Sequence, residues 1–206
     1  MSLLGKLHSK LVYNRRMSIL ADIIAKALPE GANVLDVGCG DGKIDSLIKA
    51  DNPSIKIEGI DIFLWNKTYI NVTKFDGKHI PFGDNHFDFA LFIDVLHHAE
   101  DPSIILKEAL RVTKQYILIK DHVKEGVFAE ATLSFMDYVG NKHNGIRLPY
   151  NYLDKRGWEE LYKKVGLKVE QTRDKLNLFP FPENLIFDRK LHFFSILSCN
   201  SGSKLN

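Results

Sequence analysis

Residues 32–120 predict a parallel α/β sheet, and three observations carry that reading. Short apolar runs, several of them β-branched, alternate with helical or loop crossovers along the whole stretch. The first run breaks into glycines at alternate positions, Gly38, Gly40 and Gly42. The run from Phe87 to Ile93 is almost unbroken, as a central strand buried on both faces requires.

The elements follow in order. Residues 1–21 hold Lys6, Lys10, Arg15 and Arg16 and no acid. They read as a surface helix packing Leu4, Leu7 and Leu11 on the domain, then a turn-rich stretch to Leu28, in preference to a transit peptide or a membrane-surface helix. Ser18 to Leu28 repeats apolar side chains at helical spacing until Pro29-Glu30-Gly31 stops it. Val34 to Val37 is a buried strand, and Ile44, Leu47 and Ile48 form the stripe of a covering helix. Ile55 to Asp61 is a second strand and Ile70 to Phe75 a shorter third, joined by a link too short for a full helix. After the fourth strand, Asp101 can cap a helix that carries Pro102 at its first position and turns Ile105, Leu106, Ala109 and Leu110 inward. Tyr116 to Ile119 is a fifth strand. Residues 123–140 read as helix and 141–153 as a long loop. Trp158 to Val165 is a helix stopped by Gly166, and strands near 167–174 and 190–197, joined through Pro180 and Pro182, close the sheet.

At 206 residues the chain fits one domain. Its expected parts are an N-terminal helical segment (1–30), a binding core (31–121), a helical and loop cover (122–155), and a final helix with closing strands (156–200). A net charge of +2 is too small to imply a nucleic-acid partner. No apolar run reaches the roughly 20 residues of a membrane span. The two cysteines, Cys39 and Cys199, lie far apart and suit a reduced, cytoplasmic setting.

The glycine turn carries the chemistry. A strand, a glycine-rich turn and a helix N-terminus let a ligand approach the backbone and meet free N–H groups. The spacing D-x-G-x-G-x-G departs from the dinucleotide fingerprint, which needs a third glycine where Lys43 stands. Asp36, just ahead of the first glycine, repels phosphates and suits a ligand with an ammonium group. Asp61 ends the second strand, where an acid holds ribose hydroxyls, although a turn residue is also common there. Asp76-Gly77 reads equally as a turn pair or as an acceptor for an exocyclic amine beside a close backbone approach.

From Val34 to Val112 the sequence resembles the class I S-adenosylmethionine-dependent methyltransferases, particularly the type 11 methyltransferase domain. The resemblance rests on Val34 to Gly42, Gly59-Ile60-Asp61, Phe75-Asp76-Gly77 with Ile80-Pro81-Phe82, His86-Phe87-Asp88, Asp94 to His98, and Glu108 to Val112. It implies a Rossmann-like, mostly parallel seven-stranded sheet in the order 3-2-1-4-5-7-6, with helices on both faces. It also implies S-adenosylmethionine as cofactor and S-adenosylhomocysteine as product. Asp36 with Gly38, Cys39 and Gly40 would hold the methionine end, Asp61 the ribose, Ile62 the adenine face, Asp76 and Gly77 the adenine edge, and Asp94 would lie near the sulfonium.

A sulfonium is already an activated methyl donor, so the protein chiefly aligns a nucleophile for in-line displacement. A hydroxyl acceptor would gain from a base, for which His98, Asp121 and His122 are the candidates, each with a turn-capping or helix-capping role as the plainer reading. His97 and His98 are expected to point different ways, so no metal site is expected. Phe135-Met136-Asp137-Tyr138 and Arg147 to Tyr152 read equally as a wall over the acceptor or as core aromatics. The expectation is a methyltransferase acting on a small-molecule acceptor, with no nucleic-acid partner. RNA or protein methylation, and binding of the cofactor without catalysis, are the alternatives; the glycine spacing and Asp36 disfavour a nicotinamide dehydrogenase.

Overall fold

The computed structural model describes residues 3–141 and 150–199; the predicted wall residues Arg147, Leu148 and Pro149, and the side chains of Leu4, Lys6 and Leu7, lie outside the described residues. The strands are β1 (Asn33–Val37), β2 (Lys56–Asp61), β3 (Val72–Lys74), β4 (Phe87–Ile93), β5 (Thr113–His122), β6 (Lys168–Arg173) and β7 (His192–Ser198). They form one sheet in the order β3-β2-β1-β4-β5-β7-β6, as the sequence resemblance implies. β7 runs antiparallel to both β5 and β6, and the other pairs are parallel.

Alternation along the strands sorts side chains between two layers. Leu35, Val37, Phe92, Ile117, Ile119 and Phe193 pack against α3 (Pro102–Val112) and α5 (Lys155–Val165). Val34, Phe89, Leu91, Tyr116, Leu118 and Phe194 pack on the opposite face against α1 (Leu3–Ala27) and α2 (Lys43–Asp51). This parity also dictates where the polar residues go. Asp36 shares the face of Val34, so it points at α2. Lys120 shares the face of Leu118, so it points at α1.

The expected caps are present. The Asp101 side chain accepts from Ser103 N–H at the start of α3, with Pro102 in its first turn, and Gly166 ends α5 in the left-handed region at φ 89°. α4 (Ala129–Asn141) occupies the predicted helical stretch, and the proline-containing link holds a short α6 (Asn184–Phe187).

Two expectations are corrected. The N-terminal region is one continuous helix, because no proline or glycine interrupts the chain between Lys6 and Ala27. Its buried stripe is Met17, Leu20, Ala21 and Ile24, whereas Leu11, expected to pack, is 60% exposed. β5 runs on to His122, so Asp121 is a strand residue and not the cap of the following helix.

Ile24 is fully buried against the sheet. Ile24→Ala should cost about 2–5 kcal/mol in urea unfolding, the usual cost of a core truncation. A loss under about 0.5 kcal/mol, typical of surface changes, would show that α1 is not integral to the core.

Candidate active site

The glycine turn leaves β1 at Val37 and is tied to the end of β2. Gly38 and Cys39 N–H both donate to Ile60 O, at 2.7 and 3.2 Å. Gly38 has φ 76°, and a Cβ there would lie 2.7 Å from a Val95 methyl, so both conformation and space demand glycine. Asp61 clamps the two loops together. Its Oδ2 accepts from Gly40 N–H and its Oδ1 from Phe63 N–H, both at 2.8 Å.

Beneath this clamp lies a cavity of about 260 Å³ at the carboxyl ends of the strands. Gly38, Gly40, Asp61, Ile62 and Gly77 line it on one side, and Asp94, Val95 and His98 on the other. Ligands of open α/β sheets bind at this place. Phe63, Trp65 and Phe75 add an aromatic wall. A neighbouring cavity of about 340 Å³ shares Gly38, Gly40 and Trp65 and reaches Cys39, Asp41 and Tyr13. Phe63 and Trp65 escaped the sequence reading because the segment after β2 has no regular period.

Three residues expected at the site stand back from the first of these cavities. Asp36 is 2% exposed and faces Asp45, a fully buried residue of α2. Burial and then the Asp45 charge hold the Asp36 carboxyl well above its ordinary range, and burial pushes Asp45 up to about 7. Cys39 borders only the neighbouring cavity, and burial followed by the Asp36 charge pushes its thiol up, so it stays protonated. Asp76 turns to its own loop, where it accepts from Lys78 and His79 N–H at 2.7 Å and contacts the His79 ring at 2.9 Å. Gly77 beside it does line the cavity.

Asp94 closes β4 with φ 57° and is the charged centre of the far wall. Its two oxygens engage Lys120 Nζ and an Arg16 guanidinium nitrogen. Burial works against the Asp94 charge, but Lys120 and then Arg16 outweigh it and hold the carboxyl well below the usual range. Lys120 is itself completely buried, and its Nζ lies 3.3 Å from His192 Nδ1. Neither Arg16 nor Lys120 was anticipated: the partners lie 78 and 26 residues from Asp94, beyond any local pattern.

The three expected bases separate. His98 reaches the cavity, and burial followed by the neighbouring His97 lowers its pKa, which favours the neutral ring. Asp121 is buried and accepts from Leu96 N–H at 3.0 Å, His122 N–H at 2.7 Å and His97 Nδ1 at 2.6 Å. His122 is 3% exposed, with Nε2 3.5 Å from Asp94, and it does not line the cavity. Contrary to expectation, the His97 and His98 rings converge, with centroids 4.0 Å apart, because they sit in a single 3-10 turn, Leu96–His98. The predicted aromatic cover divides as well. Tyr152 is buried and donates to Asp137, whereas Phe135 and Tyr138 are exposed.

Asp45 holds its proton more tightly folded than unfolded. Its stabilising contribution is therefore complete below about pH 4 and is lost as pH rises to about 7. Asp45→Asn should flatten that part of the stability curve and raise the melting temperature at pH 8, with the gap to the parent widening between pH 5 and 8. Parallel curves would show that the Asp45 carboxyl does not titrate in this window.

Residues 13–172 match the family model described as a methyltransferase domain. The tRNA (carboxymethyluridine(34)-5-O)-methyltransferase of Schizosaccharomyces pombe is 33% identical over 96 residues, which are 45% of this chain and 40% of that protein. The uncharacterized protein MJ1252 of Methanocaldococcus jannaschii is 33% identical over 137 residues, 65% of this chain and 50% of that one. The chain thus spans half or less of the length of these two relatives. A SAM-dependent methyltransferase from Aquifex aeolicus superimposes with a TM-score of 0.58 at 21% identity, covering 86% of this chain and 88% of the other. The chain belongs to the methyltransferase domain family, and its fold is that of the class I S-adenosylmethionine-dependent methyltransferases.

Proposed function

We propose that this chain transfers the methyl group of S-adenosylmethionine to a small-molecule nucleophile bound beside Asp94 and His98. The observation that carries the reading is one cavity bounded by Gly38, Gly40, Asp61 and Gly77 on one side and by Asp94 and His98 on the other. The residues present fit the cofactor. Each Asp61 oxygen accepts one backbone N–H and keeps lone-pair capacity for a ribose hydroxyl. Ile62, Phe63 and Trp65 offer apolar surface to an adenine, and the backbone at Gly77 admits its edge. Gly38 and Gly40 take the methionine end, with Asp36 acting from behind the turn. When bound, the cofactor supplies a methyl group on a sulfonium that needs no further activation.

The chain's own residues then do the positioning. Asp94, kept ionised by Lys120 and Arg16, sets a negative charge next to the expected sulfonium position. Among the three candidate bases His98 is the one at the cavity wall, so it meets the acceptor. Asp121 and His122 act from behind, through His97 and Asp94. RNA is the second reading for the acceptor, favoured by the name of the Schizosaccharomyces pombe relative.

S-adenosylmethionine and S-adenosylhomocysteine should both raise the melting temperature, by about 2.7 kcal/mol of stabilisation at a hundredfold excess over Kd. Stabilisation by NAD and not by these two would overturn the reading. Asp61→Ala should weaken the cofactor at least about tenfold, the worth of one good hydrogen bond to a charged group. His98→Ala should leave cofactor affinity within about twofold while lowering kcat by about 10²–10⁴ once an acceptor is in hand. Methyl transfer from labelled cofactor into a small-molecule extract, with tRNA assayed in parallel, separates the two acceptor classes.

A further inference from the structure

Behind the cavity wall, three potential ligand side chains come together from two elements remote in sequence. His97 and His98 come from the 3-10 turn after β4, and Asp137 comes from α4. One ligand atom from each lies within 4.8 Å of the other two, and these are the residues that do so among the described ones. The geometry points to a site for a divalent transition metal of the zinc or iron kind, held by a ring nitrogen of His97, a ring nitrogen of His98 and a carboxylate oxygen of Asp137.

Four features of the surroundings support it. The His97 side chain is 1% exposed, and its Nδ1 lies 2.6 Å from Asp121. An ionised carboxylate only accepts, so Nδ1 carries the hydrogen, and Nε2 is turned toward Asp137 Oδ2 at 3.3 Å. A carboxylate behind a ligating histidine fixes its tautomer and raises its basicity at metal centres in general. Second, His98 Nδ1 is a buried atom without a hydrogen-bond partner, and His97 Nε2 has Asp137 alone beside it, at 3.3 Å, so an ion between them would satisfy a group that the fold leaves unmet. Third, Asp137 is oriented by Tyr152, whose hydroxyl donates to Oδ2. Fourth, two imidazoles and one carboxylate suit zinc and non-haem iron, and three protein ligands leave positions open. Metal–ligand bonds of about 2 Å require the three side chains to contract, and His98, partly exposed at the cavity, has room to turn.

The site shares His98 with the acceptor end but stands on geometry independent of the methyl-transfer reading. Its use in that reaction rests on the proposed function. There, an open position on the ion would take an acceptor hydroxyl oxygen whose proton passes to water; that oxygen would form the O–CH3 bond as the S–CH3 bond of the cofactor breaks, with S-adenosylhomocysteine as the leaving group.

The test uses the full chain freed of metal with a chelator, then titrated with Co²⁺ and separately with Zn²⁺. One Co²⁺ should bind per chain with the visible bands of nitrogen ligation, and Zn²⁺ should displace it. His98→Ala and Asp137→Asn, each checked for an unchanged far-ultraviolet spectrum, should abolish the bands at the same concentrations. Asp121→Asn should weaken binding about 10–100-fold. Absence of saturable binding, or binding that both ligand variants leave intact, overturns the proposal. Cofactor-induced stabilisation is read in the same samples, so a failed metal site and a failed methyltransferase reading give different results.

Discussion

A carboxylate held between two cations at the end of β4 organises the functional side of this molecule. Asp94 meets Lys120 from the neighbouring strand and Arg16 from the N-terminal helix, and so joins three elements that share no local sequence. Any one of these charges alone in so dry a place would be expensive; removing one partner of such a group typically costs 3–5 kcal/mol. Together they hold α1 across the sheet and keep the Asp94 charge at the cavity rim. Docking of α1 is thereby coupled to the electrostatics of the site, although α1 supplies no residue to the lining of that cavity.

The same alternation that builds the two apolar layers distributes the chemistry between them. Even-numbered β5 residues send Lys120 and His122 toward α1, where they meet Asp94 and His192. Asp121, on the other face, is free to hold the turn that contains His97. Three consecutive polar residues in a central strand would be costly if each were left unpaired. Here each has partners, and the strand spans the sheet while carrying a charge to either side.

This division explains what could be read from the chain and what could not. The strand positions along the chain, the glycine turn, the Asp101 cap and the Gly166 stop depend on short-range signals: period, turn chemistry and capping. The resemblance to a family added the order of the strands across the sheet, with its antiparallel last strand. Asp61, Gly38, Gly40, Ile62, Gly77, Asp94 and His98 line one cavity. Asp36 does not, because strand parity aims it at α2 and Asp45. Arg16, Lys120, His97 and Asp137 were missed for the opposite reason. A lysine within a strand and an arginine on a basic helix are ordinary solvent-facing residues until a partner from another element arrives. No periodicity announces such a pair.

The two borders of the sheet bear on how the molecule behaves in company. One border is β3, only three residues long, and the other is β6, all six of whose residues are exposed. An open strand edge is a template on which another chain can extend the sheet, and such growth ends in aggregation. β3 is too short to offer much of a template. β6 carries Lys168, Glu170 and Arg173, with a register irregularity between Val169 and Gln171. Charge and a break in regularity both discourage a foreign strand from settling there. The late antiparallel addition of β7 and β6 therefore does more than complete the family's sheet: it moves the buried, charge-bearing β5 away from the border and leaves a strand there that resists further pairing.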